Sequence, residues 1–96
     1  MNLIERIQEE HPNKNLVYAA PSVLKTRGEI EQFYQEYVAH LKEYGSDEVK
    51  SHPDLTAKAN ISLVIGHCDT ETASLWKQAI PELTDNPLLA MTKGYM

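Results

Sequence analysis

From Gly28 to Tyr44 the chain repeats apolar positions at the spacing of a single helical face. Ile30, Phe33, Tyr34, Tyr37, Val38, Leu41 and Tyr44 follow the i, i+3, i+4 pattern. At 100° per residue they fall within an arc of about 140°, the width of a core-facing stripe. Glu31, Gln32, Gln35, Glu36, Lys42 and Glu43 fill the opposite side and read as solvent-facing, so that replacing Glu36 by Gln should be nearly neutral. Thr26 with Glu29 forms a capping box, and Glu29 and Glu31 stand where the helix dipole favours anions. Gly45 is expected to end the helix in a left-handed conformation. The resulting rod, about 25 Å long at 1.5 Å rise per residue, can serve as the spine of a small domain.

Weaker signals surround it. Asn2 and Glu5 suit the start of a short helix with Leu3, Ile4 and Ile7 as its apolar stripe and Pro12 as its stop. Asp69 or Thr70 opens another, with Ala73, Trp76 and Ile80 on one face and Pro81 closing it. Pro87 could begin a last turn through Leu88, Leu89 and Met91, and Thr92 to Met96 are expected to fray.

Two segments carry mixed signals. Leu16 to Ala20 could form a short strand. Between Leu55 and Ile65 the apolar residues alternate as in a strand, yet Pro53 suits a first helical position and no turn signal precedes Gly66. Two strands alone would make a marginal sheet, and a helix buried on most sides loses a clean period, so the helix is preferred. The expected fold is therefore all-α: one domain over residues 1–96, a compact bundle of four or five helices around 28–44. The alternative is a small α/β fold with short strands near 16–20 and 61–65.

Composition narrows the function. With 42% hydrophobic and 24% charged residues in 96, the chain can bury one core without staples. Its formal charge is −5, and residues 1–48 hold nine acids against five bases. Lys25 and Arg27 are the nearest thing to a basic patch, so nucleic acid is not an expected partner. No apolar run approaches a membrane span, and no membrane partner is expected. Cys68 is the only cysteine, which fits a reducing, cytoplasmic setting.

Candidate chemistry is sparse. His67, Cys68 and Asp69 form the sharpest cluster, but adjacent side chains diverge and do not readily share a proton. The plainer reading is a helix–helix corner in which Gly66 ends one helix, Cys68 packs inward and Asp69 caps the next. His11, His40, His52 and His67 are scattered. Glu36, His40 and Glu43 share one helix edge without the matching spacing elsewhere, so neither metal nor cofactor is expected. Tyr34, Tyr37 and Tyr44 lie on the core-facing arc with Phe33 and could line a core, an interface or a pocket. Leu75, opposite Trp76 on its helix, and Leu88, Leu89 and Met91 are apolar residues left over for contact with a second copy or another protein.

These features point to a small acidic protein acting as a non-enzymatic interaction module, with self-association as a homodimer one form of that contact. The alternative is a small enzyme or ligand-binding domain using His67, Cys68 and Asp69 beside a pocket lined by Tyr34, Tyr37, His40 and Tyr44.

Overall fold

Short polar side chains set most helix starts in this protein. In the computed structural model, which describes residues 2–80 and Leu83, the Oδ1 of Asn2 accepts from the Glu5 N–H at 2.8 Å and opens α1 (Leu3–Glu10). Asn15 does the same for Val17 at 3.0 Å and opens α2 (Leu16–Val23). Thr26 opens α3 (Arg27–Tyr44), Ser46 opens α4 (Asp47–Ser51) and Asp69 opens α6 (Thr70–Ala79). Only α5 (Pro53–Ile65) begins without a side-chain cap, and it has Pro53 at its first position, where a missing N–H costs nothing.

Among the described residues there are six helices and no strand, which makes the fold all-α. The Leu16–Ala20 strand candidate is instead the first five residues of α2. Most of α2 is buried, with Val17, Ala19, Ala20, Pro21 and Val23 inside and Tyr18 and Ser22 outside, so no helical stripe shows in its sequence. The 61–65 strand candidate is the last part of α5. That helix buries Thr56, Ala57, Ala59, Ile61, Ser62, Val64 and Ile65, on most of its sides, which blurs its helical period. With α2 and the five-residue α4 added, the helices exceed the four or five expected.

α3 is the spine. It packs against α1, α4, α5 and α6, while α2 bridges α1 and α5. Phe33 sits at the centre, stacked on Tyr37 at 5.6 Å between ring centroids and edge-on to Trp76 at 5.9 Å. Ile7, Leu24, Ile30, Ile61 and Ile65 belong to the same buried core. No helix among the described residues is long and apolar enough to cross a membrane.

Three expectations along α3 change. Gly45 is not left-handed: its φ of −75° and ψ of 167° are extended. Its small size is needed for another reason, because a Cβ there would lie 2.5 Å from the Leu41 carbonyl oxygen and 2.6 Å from Val49 Cγ1. Tyr44, placed on the core arc by periodicity, is 69% exposed, and Leu41 one turn earlier is only half-buried. Glu36, placed on the solvent side, instead faces α1, where its Oε1 accepts from the N–H groups of Leu3 at 2.9 Å and Ile4 at 3.2 Å.

Candidate functional site

The 66–69 corner joins α5 to α6 through local hydrogen bonds. Gly66 is the C-cap of α5, and its N–H donates to the Ser62 carbonyl at 3.1 Å. The backbone N–H groups of His67 and Cys68 donate to Val64 and Ile65, at 3.0 and 3.1 Å. The Asp69 carboxylate accepts from the Thr72 N–H at 2.7 Å, and that backbone bond holds its pKa below the ordinary aspartate range. The half-buried Cys68 thiol donates to the Val64 carbonyl at 3.5 Å, not to His67, whose side chain is exposed. Burial first, and the Asp69 charge second, push the thiol above its ordinary value, with Lys25 opposing weakly. A thiol held protonated is a poor nucleophile, since only the thiolate attacks. The corner therefore has the geometry of a connector.

Beside it lies a shallow cleft of about 540 Å³ lined by residues such as Ile65, Cys68, Ala73 and Lys77. None of Tyr34, Tyr37 or Tyr44 contributes to its walls. The structure thus separates the His67–Cys68–Asp69 corner from the tyrosines. The tyrosines themselves also part company: Tyr37 is buried on Phe33, Tyr34 packs half-buried against the core, and Tyr44 lies outside with its ring 4.9 Å from that of His40.

Tyr44 and His40 border a cleft of about 430 Å³ between α1 and α3, with Ile4 and Ala39 as its apolar part and Glu5, Glu36 and Glu43 around it. A metal centre is a separate question: among the described residues no group of three or more His, Cys, Asp or Glu side chains is arranged to hold an ion.

A third cleft, of about 200 Å³, lies between α2 and α5 and is lined by Tyr18 and Tyr37 together with apolar residues. Tyr18, 60% exposed, stands at its edge over Val17, Leu63 and Val64. At its base the Asn60 Nδ2 donates to the Tyr37 hydroxyl at 3.0 Å. Apolar walls with a few convergent polar groups are the usual makeup of a recognition surface. Sequence reading missed Tyr18 because α2 carried no helical stripe, and Asn60 because the period of α5 is blurred by its burial. The available signal was Asn15 as a cap, which would have put Tyr18 on a helix.

Leu75, expected on the outer face of α6, lies half-buried against the core. Leu88, Leu89 and Met91, and with them Pro81 and Pro87, lie outside the described residues. The Trp76 side chain is 1% exposed, and its indole N–H meets no acceptor among the described residues. No protein-family model, curated protein or solved structure matches the chain.

Proposed function

We propose that this protein is a non-enzymatic interaction module of the cytoplasm, making contact with another protein or with its own copy. The observation that carries this reading is Tyr18, a large aromatic side chain 60% exposed on a helix otherwise mostly buried. Exposed tyrosines over apolar ground are enriched at protein contacts, where a flat ring adds much area for little lost freedom. Leu63 and the Asn15 and Asn60 amides beside it offer further apolar contact and directional hydrogen bonds. Leu88, Leu89 and Met91 are a second candidate surface, together with whatever part of Leu75 stays accessible.

The enzyme reading draws less support. Its thiol is engaged with a helix carbonyl, its carboxylate caps α6, and its tyrosines are elsewhere. The single free cysteine also agrees with a reducing compartment.

A photo-crosslinking residue at position 18 tests the proposal in the native cell, with one at exposed Lys14 as the control. A discrete adduct from position 18 alone, of dimer mass or of one other protein, is expected. Light scattering over a concentration series then separates self-association from a foreign partner. A monomer at every concentration and no position-18 adduct would remove the reading.

A further inference from the structure

Charge is spread unevenly over the helices of this acidic chain. α1 holds three glutamates against Arg6, and α3 holds four against Arg27 and Lys42. α2 carries no Asp, Glu, Lys, Arg or His, and α5 carries only Asp54 and Lys58. The cleft between α2 and α5 has no charged residue in its lining. Asn15, Tyr18 and Ser22, at helical spacing on the outer face of α2, are exposed and uncharged. Among the described residues three large hydrophobic side chains are exposed. Tyr18 and Leu55 lie on these two neutral helices, whereas Tyr44 stands among Glu5, Glu36 and Glu43.

We propose that the α2–α5 cleft takes the Tyr18 ring of a second copy of the chain, the two copies exchanging rings across a two-fold axis. Self-recognition of this kind rests on the Tyr18 surface being the protein's contact site, and it names the partner. In a two-fold contact each residue near the axis meets its own counterpart. Two chains of formal charge −5 repel over much of their surface, and a seam across α1 or α3 would set glutamates against glutamates. Across α2 and α5 that penalty is smaller. α6 is also balanced, with Glu71 against Lys77, but it presents no exposed large hydrophobic side chain.

The surface is self-complementary in shape and chemistry. Ring and cleft lie side by side on one copy, so a single two-fold rotation brings each ring to the other's cleft. The cleft, at about 200 Å³, is the size of one aromatic side chain, and Val17, Leu63 and Val64 supply its apolar lining. A tyrosine entering it brings a hydroxyl that needs a partner once water is excluded. Asn60 uses one amide N–H on the Tyr37 hydroxyl at 3.0 Å, and its carbonyl oxygen can accept from the incoming Tyr18. Asn15 accepts from the Val17 N–H with its Oδ1, which leaves its amide N–H groups to donate to the same hydroxyl.

Light scattering of the full chain from micromolar to millimolar concentration should show a dimer at the high end. Tyr18→Ala, with its fold checked by circular dichroism, should raise the dimer Kd roughly tenfold or more. Tyr18→Phe keeps the ring without its hydroxyl and should weaken the dimer less. Tyr44→Ala, in the acidic cleft, should leave it unchanged. Added salt should hold or tighten the dimer, because the charge it screens is repulsive. A small photo-reactive residue at position 18 should give a dimer-mass adduct joined to residues 60–64 of the second copy. A dimer that Tyr18→Ala leaves intact, or that salt dissolves, would overturn the exchange. A purified chain that stays monomeric throughout overturns it too. In that case a position-18 adduct to another protein in the cell leaves the contact site standing without self-recognition, and no adduct removes both.

Discussion

Glu36 on α3 closes the N-terminus of α1 by accepting from the backbone N–H of Leu3 at 2.9 Å. A helix start leaves its first N–H groups without partners inside the helix. Asn2 serves the Glu5 N–H, and Glu36, 33 residues from Leu3 in the chain, serves the Leu3 and Ile4 N–H groups.

Replacing Glu36 by Ala should therefore cost about 1–2 kcal/mol, the scale of a lost helix cap. The Glu36→Gln change keeps an acceptor oxygen and should cost less, but more than an exposed substitution. Urea denaturation with a common slope measures both. A Glu36→Ala loss near zero would mean that water replaces the carboxylate fully.

Burial ranks the aromatic and aliphatic positions of α3. Phe33→Ala should cost about 3–5 kcal/mol, because its ring is buried between Tyr37 and Trp76. Half-buried Leu41→Ala should cost about 1–2 kcal/mol, below the range for a full core deletion. Tyr44→Ala, on the surface, should stay within about 0.5 kcal/mol. Equal losses at Phe33 and Tyr44 would contradict this ranking.

Gly45→Ala should destabilise by about 1–3 kcal/mol, since its Cβ meets the Leu41 carbonyl oxygen and Val49 Cγ1. Pairing it with Val49→Ala should recover part of the loss, leaving the backbone conflict. A double-mutant cycle by thermal denaturation reads the coupling, and strict additivity would place the strain elsewhere.

The Cys68 thiol should alkylate more slowly with iodoacetamide near pH 8 than a thiol in a short unstructured peptide. Its raised pKa leaves less thiolate at any given pH, and the rate should climb at higher pH than the peptide's. Reaction as fast as the peptide's would mean that the thiol is neither shielded nor raised.

At physiological salt the protein should show no sub-micromolar binding to duplex or single-stranded nucleic acid. A formal charge of −5 supplies repulsion where counterion release would be needed. Fluorescence anisotropy with labelled oligonucleotides at two salt concentrations checks it.

Local chemistry made much of the fold legible in the sequence. Asn2, Thr26 and Asp69 cap helices because each oxygen reaches an N–H only a few residues ahead. The α3 stripe from Ile30 to Val38 packs as its period implies, because one side of that helix meets neighbours along most of its length. Tertiary structure decided what depends on distant neighbours. α2 and α5 are buried on most sides, so their burial erased the period that would have announced them. Tyr44 keeps the period of the core yet lies outside, its ring beside that of His40. Glu36 departs from its expected role, and Tyr18 gains one the sequence did not assign, for the same reason. A carboxylate looks solvent-facing until a helix terminus arrives opposite it, and a tyrosine in an apolar run looks buried until packing shows which side of α2 faces outward.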